Sequence, residues 1–63
     1  MEQPPIMKFF AFEHLPPHLR EVSQPVAELA QKMATELPPG PELSAGLRKL
    51  LEAKDCFVRA KLP

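Results

Sequence analysis

Few side chains in this sequence are of a kind that does chemistry. Glu13, His14 and His18 lie close together, and the two histidines are four residues apart, which would place them on one side of a helix. Such a pair can share a metal or a proton. A structural zinc site needs four good ligands, however, and the only other soft donor is Cys56. Histidines near a helix start are ordinarily polar surface. Cys56 follows Asp55, with no identifiable activating arrangement around it, so it reads as a buried, inert thiol rather than a nucleophile. There is no Gly-rich phosphate loop and no Ser–His–acid set. The pattern therefore points away from an enzyme, and no cofactor or metal is implied.

The basic residues of the second half are a different matter. Arg48, Lys49, Glu52, Lys54, Asp55 and Arg59 are interleaved with leucines. The ordinary reading is a solvated face with two ion pairs at i, i+4, Arg48–Glu52 and Asp55–Arg59, each worth a few tenths of a kcal/mol. Lys54 fits that reading poorly. It falls in the series Leu47, Leu50, Lys54, Phe57, Lys61, which has helical spacing, and so sits on an apolar seam. A lysine there must reach out to solvent, pair with an acid, fix register or meet an anion. Phe12 offers a flat ring on which a nucleobase could stack, worth roughly 1–3 kcal/mol. Arg48 supplies a forked donor for phosphate, and Lys49 and Lys54 supply point charges. The candidate ligand-binding set is Phe12, Arg48, Lys49 and Lys54.

The elements that must hold these residues are legible from proline and from apolar spacing. Pro16-Pro17 opens a first helix, because the N–H that proline lacks has no intrahelical partner in a first turn. Leu15, Leu19, Val22, Val26, Leu29, Met33 and Leu37 follow as a stripe of alternating three- and four-residue gaps. The stripe keeps its phase across Pro25, which predicts one kinked helix over about 16–37 rather than two. Pro38-Pro39 ends it. Gly40 suits an N-cap and Pro41 a first helical position, so a second helix runs over about 41–61 after a turn at 38–40. A connection this short makes the two helices antiparallel neighbours. Residues 1–13 read as an extended aromatic strap, with Phe9 and Phe10 packing across the hairpin. The fold class is all-α: an antiparallel two-helix hairpin, 14–63, with an N-terminal strap.

Size argues for association. The chain has 63 residues, 44% of them apolar and 25% charged, with eight basic and eight acidic side chains. A single core below roughly 70–80 residues rarely supplies more than about 3–5 kcal/mol. One cysteine rules out an intrachain disulfide. Leu50-Leu51 and Phe57-Val58 are adjacent apolar pairs, so one member of each points away from the first helix, and Ala53 and Ala60 would let another helix approach closely. A homo-oligomer, dimer to hexamer, is expected. Zero net charge argues against general nucleic-acid binding, although five basic side chains stand against two acidic ones from Leu47 to Pro63. No run approaches the ~20 apolar residues of a membrane span, and the Phe9–Phe12 run is too short for a signal-peptide core. A lone cysteine fits a reducing cytoplasm.

Two stretches carry a resemblance. Phe12-Glu13-His14-Leu15-Pro16-Pro17-His18-Leu19 and Leu47-Arg48-Lys49-Leu50-Leu51-Glu52-Ala53-Lys54-Asp55-Cys56-Phe57-Val58-Arg59-Ala60 resemble the helical-hairpin domain of phage-encoded anti-CBASS and anti-Thoeris sponges. Such proteins do not catalyse; they sequester the cyclic nucleotide signals of bacterial defence enzymes. They assemble from hairpins, often as hexamers, with pockets between protomers. The resemblance implies a cyclic di- or trinucleotide ligand, action in the host cytoplasm, Phe12 as the base-stacking ring and Arg48 as a phosphate contact. Lys54 stands where those proteins carry glycine, and Pro25 is unlike their smooth first helix. The alternative expectation is a small protein-interaction module or inhibitor that binds a host or phage protein.

Overall fold

The computed structural model describes residues 4–62. Met1–Gln3, the start of the expected strap, and Pro63 lie outside the described residues. A 3₁₀ helix over Pro5–Phe10 is followed by α1, Pro17–Glu36, and α2, Pro41–Lys61. Both long helices pack together as a hairpin measuring 38 × 19 × 16 Å. The segment expected to be extended is therefore wound into a 3₁₀ turn. Pro5 at its start suits the turn, and Met7 N–H donates to the Pro4 carbonyl at 3.0 Å.

Pro17 opens α1, as proline at a first helical position should, and the Leu19 and Arg20 N–H groups donate to the Pro16 carbonyl at 3.0 and 2.9 Å. The Arg20 guanidinium reaches back to the Leu15 carbonyl at 3.1 and 3.3 Å and ties the approach turn to the helix. α1 runs unbroken through Pro25, which lies on its exposed side. The missing N–H leaves only the Glu21 carbonyl without its helical donor, and there water can substitute. Gly40 is extended, and its carbonyl receives the Ser44 N–H at 3.0 Å, starting α2 with Glu42 in the first turn.

The packed face of α1 differs from the expected one. The buried residues of α1 are Ser23, Ala27 and Ala30, with Ala34 beside them. The stripe of large residues that includes Val22, Leu29 and Met33 is centred about 80–100° around the helix, at about 100° per residue. Leu29 is 45% exposed. The reason is visible in the pairing. Counting back from Glu36 and forward from Pro41 sets Ala34 level with Leu43, Ala30 with Leu47, Ala27 with Leu50 and Ser23 with Lys54. A row of small residues on α1 receives a row of large ones on α2, which brings the helices close and fills the seam. Phe10 caps this core beside Ala27, Ala30 and Leu47, with Ile6, Met7, Phe12 and Leu51 against it.

Candidate functional site

The 3₁₀ helix folds back across one side of the hairpin and leaves a depression on either side of itself. The first, a cleft of about 340 Å³, lies against the C-terminal half of α2 and is lined by Lys8, Phe9, Ala11, His14, Leu15, Lys54, Asp55, Val58 and Arg59. Three fixed positive charges face one negative charge there. Lys54 continues the leucine row of α2 into the seam, so its stem is covered and the side chain is 13% exposed. Its ammonium emerges beside Asp55 at 3.0 Å. Arg59 lies one turn further on and donates to Cys56 Sγ at 3.4 Å. Lys8 enters from the 3₁₀ helix with its Nζ 5.2 Å from the centroid of the Phe9 ring, and that ring is 55% exposed. Among the described residues, Lys8 and Arg59 form no ion pair. The arrangement suits an anion carrying a flat group: Arg59 offers a fork, the lysines offer charge, and the ring offers a stacking face.

The second depression, about 290 Å³, lies against α1 and has the opposite character. Met7, Phe10, Phe12 and Ala27 form its apolar part, and Glu13, Glu28 and Gln31 its rim. Phe12 is therefore half-buried among apolar neighbours, with its N–H donating to Glu13 Oε2 at 3.1 Å. Of the four residues expected to bind ligand, only Lys54 lines the cationic cleft. Arg48 and Lys49 are exposed on α2 and line neither depression. Within one chain the structure does not bring Phe12, Arg48, Lys49 and Lys54 together.

Four other expectations are corrected. Phe9 and Phe10 do not pack as a unit; Phe10 is buried and Phe9 is largely exposed, because successive residues of a tight helical turn point in different directions. Cys56 is exposed, since it lies two residues from the seam position Lys54 and so on the far side of α2. The pairs Arg48–Glu52 and Asp55–Arg59 do not form; Asp55 is taken by Lys54, whose covered stem fixes its head nearby. His14 and His18 do not share a helical face, because α1 begins only at Pro17 and His14 remains in the preceding turn, lining the cleft.

Sequence reasoning missed Lys8, Phe9, His14 and Arg59 as neighbours of Lys54. The available signal was a lysine beside an aromatic run ahead of a hairpin, but it becomes a site only when the chain folds back. Among the described residues no three His, Cys, Asp or Glu side chains gather as metal ligands, and no helix is long and apolar enough to cross a membrane. No protein-family model matches the sequence, and comparison with curated proteins and with solved structures returns no match.

Proposed function

We propose that this chain is a non-catalytic, oligomeric binder that sequesters a cyclic oligonucleotide signal and thereby blunts a bacterial anti-phage defence in the host cytoplasm. The observation that carries the reading is the cleft in which Lys8, Lys54 and Arg59 surround a covered floor beside the exposed Phe9 ring. Phosphates and bases are the ligand parts that such a set recognises. The resemblance of Phe12–Leu19 and Leu47–Ala60 to the sponge hairpins supplies the cyclic nucleotide. At about 340 Å³ the cleft lies near the lower limit of the roughly 300–1,000 Å³ typical of small-ligand sites. It is open, so one chain encloses only part of a larger ligand, and a neighbouring copy would cover the rest. Phe12, Arg48 and Lys49, which face elsewhere in one chain, would reach the ligand from that neighbour.

Isothermal titration with a panel of cyclic di- and trinucleotides tests this. Binding of at least one member is expected, with Arg59→Ala weakening it about tenfold to a hundredfold, the range for a charge-assisted hydrogen bond. Arg48→Ala should weaken it without altering the assembly. No heat from any member of the panel overturns the reading. The alternative, a protein-interaction module or inhibitor, is favoured by the uncovered Leu29, Leu37 and Phe57. It predicts a one-to-one complex with a purified target and silence towards every cyclic nucleotide.

A further inference from the structure

The cationic cleft also holds one carboxylate. Asp55 lines it beside Lys54, with Asp55 Oδ1 3.0 Å from Lys54 Nζ. A phosphate gains nothing from that group, because a carboxylate repels the charge that Lys8 and Arg59 attract. What the pair does is set a donor and an acceptor side by side. The Lys54 side chain is 13% exposed, so its stem is fixed in the seam and its ammonium is held where it emerges. Asp55 is 47% exposed and open to a ligand. A carboxylate has two oxygens with about four lone-pair sites, so accepting from Lys54 leaves it able to take further donors. The exposed Phe9 ring lines the same cleft.

We propose that the Lys54–Asp55 pair reads the Watson–Crick edge of guanine, so that the ligand held in the cleft is a guanine nucleotide. This rests on the nucleotide reading above and adds the base to it. A base lying on the Phe9 ring turns an edge towards the α2 wall, where the pair stands. Guanine presents along that edge the O6 acceptor, then the N1–H and N2–H donors. Lys54 donates to O6, and the two oxygens of Asp55 accept from N1–H and N2–H as a bidentate pair. The closeness of ammonium and carboxylate suits the neighbouring positions of O6 and N1–H. Guanine alone among the common bases offers two adjacent donors. Adenine and cytosine set an amino group beside a ring-nitrogen acceptor, and uracil sets one N–H between two carbonyls, so each turns a lone pair towards the carboxylate. Lys8 and Arg59 remain for the phosphate, and among the described residues no carboxylate is paired with either. At about 340 Å³ the cleft suits one base with its phosphate rather than a whole cyclic dinucleotide, so each chain reads one guanine.

Titration calorimetry of the full chain with guanosine, inosine, xanthosine, adenosine and uridine monophosphates provides the test, with the cyclic dinucleotides of guanine and of adenine alongside. Guanine members should bind about tenfold to a hundredfold more tightly than adenine members, the range of a bidentate base contact. Inosine, which lacks the N2 amino group, should fall between them. Asp55→Asn is the sharper variant. Its amide keeps the size of the side chain but exchanges one acceptor for a donor, and the exposed position leaves the fold intact, which circular dichroism checks. Guanine should then lose about tenfold or more, while xanthine gains, because its C2 carbonyl accepts where the guanine N2 donates. A purely electrostatic role for Asp55 would instead shift every nucleotide by the same factor, and that result overturns the inference. Equal affinity of the wild type for guanine and adenine overturns it too, and leaves the nucleotide reading standing. No heat from any nucleotide overturns both.

Discussion

Two side chains in the seam show what a single residue does to this hairpin. Ser23 is fully buried, and its Oγ finds no hydrogen-bond partner among the described residues. A buried hydroxyl without a partner costs about 1–3 kcal/mol. Alanine has nearly the same volume and continues the row of Ala27, Ala30 and Ala34. Ser23→Ala should therefore stabilise the fold by about 1 kcal/mol, seen as a higher urea midpoint at unchanged m-value; a loss of stability would reveal a partner for the hydroxyl. Level with Ser23 sits Lys54, whose covered stem and paired ammonium place a charge at the edge of the core. These two polar residues end the apolar part of the seam just where the cationic cleft begins, so the local departure from ideal packing and the candidate site coincide.

At the level of the element, Pro25 is the clearest compromise. It lies inside a 20-residue helix and on its exposed side. Interior proline costs roughly 3 kcal/mol relative to alanine, through the lost hydrogen bond and the ring clash with the preceding turn. Pro25→Ala should raise stability by about 1–3 kcal/mol, measured by thermal or urea unfolding, and a destabilisation would mean that the ring restricts the unfolded chain by more than it costs the helix. The 3₁₀ helix depends on one anchor. Phe10 is its buried residue. Phe10→Ala removes that anchor at a cost of about 3–5 kcal/mol. It should free Lys8 and Phe9 from the cleft, so protease sensitivity around residues 5–12 should rise; unchanged digestion would show that Ile6, Met7 and Phe12 hold the segment without it.

For the whole molecule, the core is small. Among the described residues, Phe10, Ala27, Ala30 and Leu47 are its buried apolar residues, and two of them are alanines. Four such residues do not comfortably offset the conformational entropy of a chain this long. In the oligomer proposed above, association would couple to folding by mass action, so the unfolding midpoint of the wild type should rise with protein concentration over 5–200 µM, a span of roughly the order over which such linkage shifts midpoints. A midpoint independent of concentration would show that the hairpin holds itself together.

The sequence by itself determined the two long helices, though not the 3₁₀ helix at Pro5–Phe10. Pro16-Pro17, Pro38-Pro39, Gly40 and Pro41 punctuate the chain where helices readily start and stop, and the second helix begins and ends where its sequence places it. It also placed Lys54 on the seam, because helical periodicity is a local property. Tertiary structure decided which side of α1 is inside. The large residues of α1 form the more obvious apolar stripe, yet the alanine row wins, because closeness of approach and fit to the leucines of α2 depend on a partner helix that no local window contains. The same holds for the cleft. Lys8 and Arg59 are remote in sequence and meet only when Phe10 is drawn into a core built by the other two helices, and burial, unlike periodicity, is a property of the assembled chain.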